Sequence, residues 1–314
     1  MAGKQNRGQR LLDLAKRVAE GYATIPQVRA FMVFGSAADG VVDEASDLDT
    51  TAYCDDIPPR EAREQAVRRM GGDPQACSFP KHGVSFDRVV LPDCEDDCCV
   101  VLERFAAVQA ECVDARDKVI RFCRRLDPFH ERVHGQADAE ADQLLREAAE
   151  GLFWPSEDTL ADIQSCLVLY DPDGLLARWK REIADFPADA RKLAIEHRLF
   201  FSALWVNEDM PRALAAGDRM HFAILRARAV EHFVRLLYTL NRRYFRKPKW
   251  FARHLKDFRF KPANTSRRLN SLWAEAEENL VDQMIEFIRD LIASIRKGCP
   301  EAAIDRVANW FRTG

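Results

Sequence analysis

Hydrophobic and polar positions alternate between two periods along this chain, and the change of period divides it. Leu11, Leu12, Leu14, Ala15, Val18 and Ala19 recur at helical spacing, so Gln9–Tyr22 reads as an amphipathic helix. Apolar Val28–Phe34 then reads as a strand, stopped by Gly35-Ser36. After the loop Ala37–Ser46, a second strand is expected at about Leu48–Cys54. Pro58-Pro59 opens a charged helix that Gly71-Gly72 stops. Gly83–Leu91 reads as a third strand with Asp87 in its middle, and Cys99–Leu126 reads as a helix ending at Asp127-Pro128. Glu131–Glu150 is polar and acidic with helical propensity. A short apolar strand, Cys166–Tyr170, leads through Asp171-Pro172-Asp173-Gly174 into another helix. Beyond Pro187 only the helical period remains, over Ala188–Val206, Asp209–Tyr244, Lys249–Asp257, Thr265–Arg296 and Ala302–Arg312. The expected class is α+β: an N-terminal mixed sheet with helices, residues 1–186, followed by a C-terminal all-α helical bundle, residues 187–314.

Composition changes this picture little. The 314 residues are 47% hydrophobic and 31% charged, ordinary for a globular protein of about two domains. A net charge of -3 argues against a protein that coats nucleic acid by bulk electrostatics. There is no apolar signal core and no run long enough to span a bilayer, so a cytoplasmic protein whose nine cysteines are reduced is expected.

The chemistry concentrates in Val28–Asp56. Within a strand, residues two apart share a face, so Asp47 and Asp49 project together, opposite Leu48. Adjacent carboxylates repel, and a divalent cation between them relieves the repulsion. Magnesium suits one or two carboxylates completed by phosphate oxygens. Gly35 has no side chain to keep an anion from the backbone N–H groups, and Ser36 adds a hydroxyl donor. Phosphate cradle plus metal carboxylates is a device for holding a nucleoside triphosphate.

Gly35-Ser36 followed by Asp47-Leu48-Asp49 resembles the hallmark of the DNA polymerase β-like nucleotidyltransferase superfamily. Thr50 stands where that pattern usually has an apolar residue. The strand–DPDG–helix stretch and RAVEHFVRLLYTLNRRYFRKPKW are similar to aminoglycoside and lincosamide nucleotidyltransferases, whose second domain is all-α and closes over the nucleotide. The resemblance implies two magnesium ions held by Asp47, Asp49 and a third acid on a following strand, for which Asp87 is the candidate. It further implies transfer of a nucleoside monophosphate, AMP from ATP as the leading case, to a hydroxyl of a small acceptor such as an aminoglycoside or lincosamide. Asp87 is the first choice for activating that hydroxyl, with Glu231 as a second candidate unless it only pairs with Arg235. A protein or RNA acceptor uses the same chemistry, and a non-catalytic, toxin–antitoxin-like nucleotide-binding module is a further alternative.

Several features stay open at this stage. Arg242–Lys256 holds seven Lys or Arg residues and no acid, with Tyr244, Phe245, Trp250 and Phe251 among them. Lys247 or Lys249 would neutralise phosphates after closure, the stretch would face RNA, or it is a solvated helix end. Tyr238 either turns toward the nucleotide or packs in the core with its hydroxyl bonded. Cys94, Cys98 and Cys99 hold zinc or are packed thiols. Asp93–Asp97 or Asp138–Glu150 line an acceptor cleft or are solvated. Arg226 and His232 fit an R-x5-H pattern resembling HEPN ribonucleases, or match it by chance.

Overall fold

The computed structural model describes residues 2–74, 77, 84–110, 157–184, 188–245, 251–274 and 277–311. The chain divides into two compact units, one of Met1–Arg116 with Thr159–Asp185, the other of Asp117–Asp158 with Phe186–Gly314. The fold is α+β, with a mixed five-stranded sheet in the first unit.

In the first unit α1 (Ala2–Tyr22) is followed by β1 (Val28–Phe34), a single helical turn α2 (Gly35–Ala38), β2 (Asp49–Cys54), α3 (Arg60–Arg69), β3 (Val84–Val90) and β4 (Asp97–Arg104). Residues 105–110 are helical. Then come α4 (Asp158–Ser165), β5 (Leu167–Tyr170) and α5 (Leu175–Ala184). The spatial order is β3-β4-β2-β1-β5, with β2 and β4 parallel and the other pairs antiparallel.

Two rows of side chains cross the four strands β1, β2, β4 and β3. Phe34, Asp49, Cys99 and Arg88 form one row, and Val33, Thr50, Val100 and Asp87 the next. Adjacent rows lie on opposite faces because the side-chain period of a strand is two. The face of the second row is buried: Phe31, Val33, Ala52, Val89, Cys98, Val100 and Leu102 share a core with Leu11, Leu14, Val18 and Tyr22 of α1 and Ala66 and Val67 of α3. Even polar Thr50 is fully buried there, where its hydroxyl donates to the Cys99 carbonyl at 2.9 Å. On the opposite face, Tyr53 is covered by edge contact with Trp179 of α5, which in turn stacks on Phe105. The Asp49 end of that face is more open: Asp49 is half-buried, and Cys99 and Arg88 are exposed.

The helix expected over Cys99–Leu126 is corrected in its first part. Residues 97–104 form β4, with Cys98, Val100 and Leu102 inward at every second position. The parallel pairing to β2 and antiparallel pairing to β3 satisfy this segment's backbone groups on both sides.

The elements of the second unit among the described residues are all helical: α6 (Ala188–Leu204), a π-helical turn (Trp205–Asp209), α7 (Met210–Ala215), α8 (Arg219–Leu240), α9 (Phe251–Asp257), α10 (Thr265–Ala274), α11 (Glu277–Gly298) and α12 (Asp305–Trp310). Their shared core includes Phe201, Trp205, Phe222, Phe233, Leu237, Met284, Phe287 and Leu291. Buried Arg191 donates to the carbonyls of Leu240 at 2.9 Å and Gly298 at 2.7 Å, satisfying acceptors that two helix ends leave without intrahelical partners. Among the described residues, no helix is long and apolar enough to cross a membrane.

Candidate functional site

Gly35 sits at φ +76°, a left-handed conformation that costs glycine little and most residues a good deal. It turns the end of β1 into α2. A Cβ built on it would lie 2.5 Å from Oδ2 of Asp49. The missing side chain is therefore what lets the Asp49 carboxylate rest against the turn, across the register pair Phe34–Asp49. Leu48 is buried in the helix-covered core, and the exposed Asp47 precedes β2. The structure brings Gly35, Ser36 and Asp49 together at the β1–β2 end, with Asp47 two residues upstream. Ser36 itself is buried, and its carbonyl accepts from Val41 N–H at 2.9 Å.

The loop between α2 and β2 has internal structure. Ser46 Oγ donates to Asp43 Oδ1 at 2.9 Å and accepts from Asp43 N–H at 2.8 Å, while Ala45 N–H donates to Asp43 Oδ1 at 3.1 Å. Val42 packs on the edge of the core.

Electrostatics at this end are negative. Desolvation first, then the charges of Asp49, Asp97 and Asp47, raise the Cys99 thiol above its ordinary pKa. Such a potential favours a cation. Asp47 and Asp49 offer hard oxygen donors of the kind magnesium takes, with room in its preferences for phosphate oxygens and water. Among the described residues, no group of three or more His, Cys, Asp and Glu is placed to hold a metal by itself.

Asp87 does not join this site. Its row carries it to the helix-covered face, where it is fully buried, ion-paired with fully buried Arg63 and hydrogen-bonded by Tyr22 Oη at 2.6 Å. Arg63 also donates from Nε to the Pro58 carbonyl at 3.2 Å. The residue in Asp49's row on β3 is Arg88, which pairs with Asp97. A strand register one residue different would reverse the two, so the sequence cue of an acid in a third strand was real but pointed inward.

The other expected residues sort clearly. Tyr238 is a core residue: it is 1% exposed, its hydroxyl lies 2.6 Å from His254 Nδ1, and Phe245 and Phe258 pack edge-on against its ring. That placement corrects the expectation of a nucleotide contact. Lys247 and Lys249 lie outside the described residues, as does the acidic stretch Asp138–Glu150. Tyr244 and Phe245 are buried, which removes them from any base-stacking face. Glu231 accepts from Arg235 Nε at 2.8 Å. His232 is buried, with desolvation first and the nearby arginines second lowering its pKa to about 3, and Trp205 packs edge-on against it at 4.8 Å. Cys98 and Cys99 are consecutive in a strand and point to opposite faces, so they do not converge on one ion. Asp93, Glu95 and Asp96 pair with Arg17, Arg10 and Arg7 of α1 rather than standing ready for a cationic acceptor. Those arginines lie on one face of a helix whose apolar spacing was legible, but their partners depend on where the β3–β4 loop falls.

Residues 154–251 match a family model described as "Domain of unknown function (DUF4037)". No curated protein matches the chain. Among solved structures, the chain is similar to a nucleotidyltransferase-like protein from Exiguobacterium sibiricum 255-15, with a TM-score of 0.36 and 10% identity, over 95% of this chain and 79% of that one.

Proposed function

We propose that this chain is a metal-dependent nucleotidyltransferase that moves a nucleoside monophosphate, AMP from ATP as the leading case, to an acceptor hydroxyl. One observation carries the reading: the Asp49 carboxylate rests against the left-handed Gly35 turn, in contact distance of where a Cβ would be. The Gly35-Ser36 turn and Asp49 thus lie side by side at one sheet end, which supports reading them as parts of one Gly-Ser and Asp-x-Asp motif. Gly35 and Ser36 would hold the triphosphate so that pyrophosphate leaves in line. Asp47 and Asp49 would hold magnesium jointly with the phosphates, and the ion when bound supplies charge stabilisation and a lowered pKa for the acceptor. The acceptor oxygen would bond to the α-phosphorus as the bond to the pyrophosphate oxygen breaks, its proton passing to solvent as pyrophosphate leaves. Asp87, buried with Arg63, takes no part in accepting the proton.

The acceptor is proposed as a small molecule bearing hydroxyls, aminoglycosides and lincosamides being the first classes to test. A nucleotide-binding module without transfer is the second reading, favoured by Arg88 standing where a third carboxylate would share Asp49's face.

The test is pyrophosphate release from each of the four ribonucleoside triphosphates with magnesium across an acceptor panel. Asp49→Asn and Gly35→Ala should each lower the rate by about a hundredfold or more, since small misplacements at a reacting centre cost this much. Both variants should keep the far-ultraviolet dichroism of the wild type. Magnesium-dependent nucleotide binding without pyrophosphate release would favour the second reading. Neither binding nor release would overturn both.

A further inference from the structure

Arg7 holds the loop that delivers Asp47. Its guanidinium donates to the Glu44 carbonyl at 2.8 Å, to the Ser46 carbonyl at 3.0 Å and to the Asp96 carboxylate at 2.8 Å. The two carbonyls are three residues and one residue upstream of Asp47, and Asp96 is one residue upstream of Asp97 in β4. One fork thus ties together the approach to β2 and the approach to β4, the parallel neighbours whose first residues flank the candidate site. The pair is largely withdrawn from water, at 26% and 17% side-chain exposure. The other α1 arginines differ in kind: Arg10 and Arg17 are more exposed and bind side chains of the β3–β4 loop rather than backbone of the Asp47 loop.

We infer that Arg7 is a positioning residue for Asp47, acting through the backbone of residues 44–46, and that α1 is thereby part of the site's support. The inference rests on the nucleotidyltransferase reading. Arginine is required because a planar fork reaches three acceptors at once, whereas a lysine ammonium is a single point charge on a flexible stem. The loop's own Asp43–Ser46 bonds and the packing of Val42 shape it locally. The Arg7 bonds join that loop to Asp96.

The experiment compares wild type with Arg7→Met, Arg7→Lys and Asp96→Asn in two measurements. The first is amide hydrogen exchange over residues 41–48, which needs no nucleotide. The second is the magnesium concentration giving half-maximal pyrophosphate release. Arg7→Met should speed exchange in 41–48 while residues 11–22 of α1 stay protected. It should raise the half-maximal magnesium concentration about tenfold, the lower end for losing a partner that orients a metal ligand. Arg7→Lys should not restore either value, and Asp96→Asn should fall between Arg7→Met and wild type. Unchanged exchange in Arg7→Met would overturn the inference whatever the activity. Faster exchange with unchanged magnesium dependence would overturn it too, since the clamp would then not bear on Asp47. A wild type inert toward every nucleotide, with exchange still faster in Arg7→Met, would instead sink the nucleotidyltransferase reading and the metal-positioning role while leaving the clamp in place.

Discussion

Asp87 and Arg63 show how one residue of register separates structure from chemistry. Both are fully buried, and each meets the other's charge, with Tyr22 and the Pro58 carbonyl completing the contacts already described. Removing one partner from a buried pair strands the other's charge in the core. Asp87→Asn should therefore destabilise the first unit by about 3–5 kcal/mol, read as a shift in the urea midpoint. Asp87→Leu combined with Arg63→Met should recover much of that loss, because well-packed apolar replacements of a buried pair are often neutral or better. A large activity loss in Asp87→Asn without a stability loss would restore the carboxylate to the site. At this scale the Gly35 turn was legible because a left-handed glycine at a strand end is local geometry, whereas Asp47 precedes β2 rather than sharing a strand face with Asp49. The inward direction of Asp87 was not legible, because a lone acid in an apolar strand reads the same whether it meets a metal or an arginine from a distant helix.

Element boundaries followed the local signals closely where those signals were strong. Val28–Phe34 is the strand its composition predicts, and Pro58-Pro59 and Gly71-Gly72 bracket α3. The alternating residues of β4 run directly into helical residues 105–110, so the summed pattern reads as one helix. Helices α6 and α8 carry a second consequence of packing. His232 lies between His197, at 6.2 Å, and Trp205, at 4.8 Å, and its folded pKa of about 3 is below its ordinary 6.5. The unfolded chain thus binds a proton there between pH 6.5 and 3 that the folded chain does not, so stability falls as pH drops through that window. The expected slope from this group is about 1.4 kcal/mol per pH unit, or about 2 kcal/mol lost between pH 6.5 and 5. Urea titrations at pH 7, 6 and 5 should show that loss, and His232→Phe should flatten it. A wild-type stability unchanged down to pH 5 would contradict the buried, neutral histidine.

At the scale of the whole molecule the two units interleave along the chain. Fully buried Glu157, immediately before α4, accepts from Arg198 at 3.1 Å and from the Phe245 N–H at 2.8 Å. It belongs to the second unit although it precedes β5 of the first. A fragment of residues 187–314, cut at the boundary the helical pattern suggests, would keep Arg198 and lose its carboxylate. That fragment should lack a cooperative thermal transition, because an uncompensated buried charge costs about 3–5 kcal/mol, a large share of a domain's stability. Glu157→Gln in the full chain should lower the stability of the second unit in the same direction. A fragment that melts cooperatively would show Glu157 to be dispensable.

The sequence by itself determined the features that depend on neighbours along the chain: the helical and strand periods, the glycine turn after β1, the acids around Leu48, and the change to helices after Pro187. Each follows from side-chain periodicity or backbone sterics within a few residues. Tertiary structure alone decided which residues of β3 share Asp49's face of the sheet, that Tyr238 is interior, that α1 reaches the Asp47 loop through Arg7, and that Glu157 serves the second unit. Those outcomes turn on strand register and on partners tens to nearly a hundred residues away, where the free energy of burying a charge selects one partner among many that composition allows.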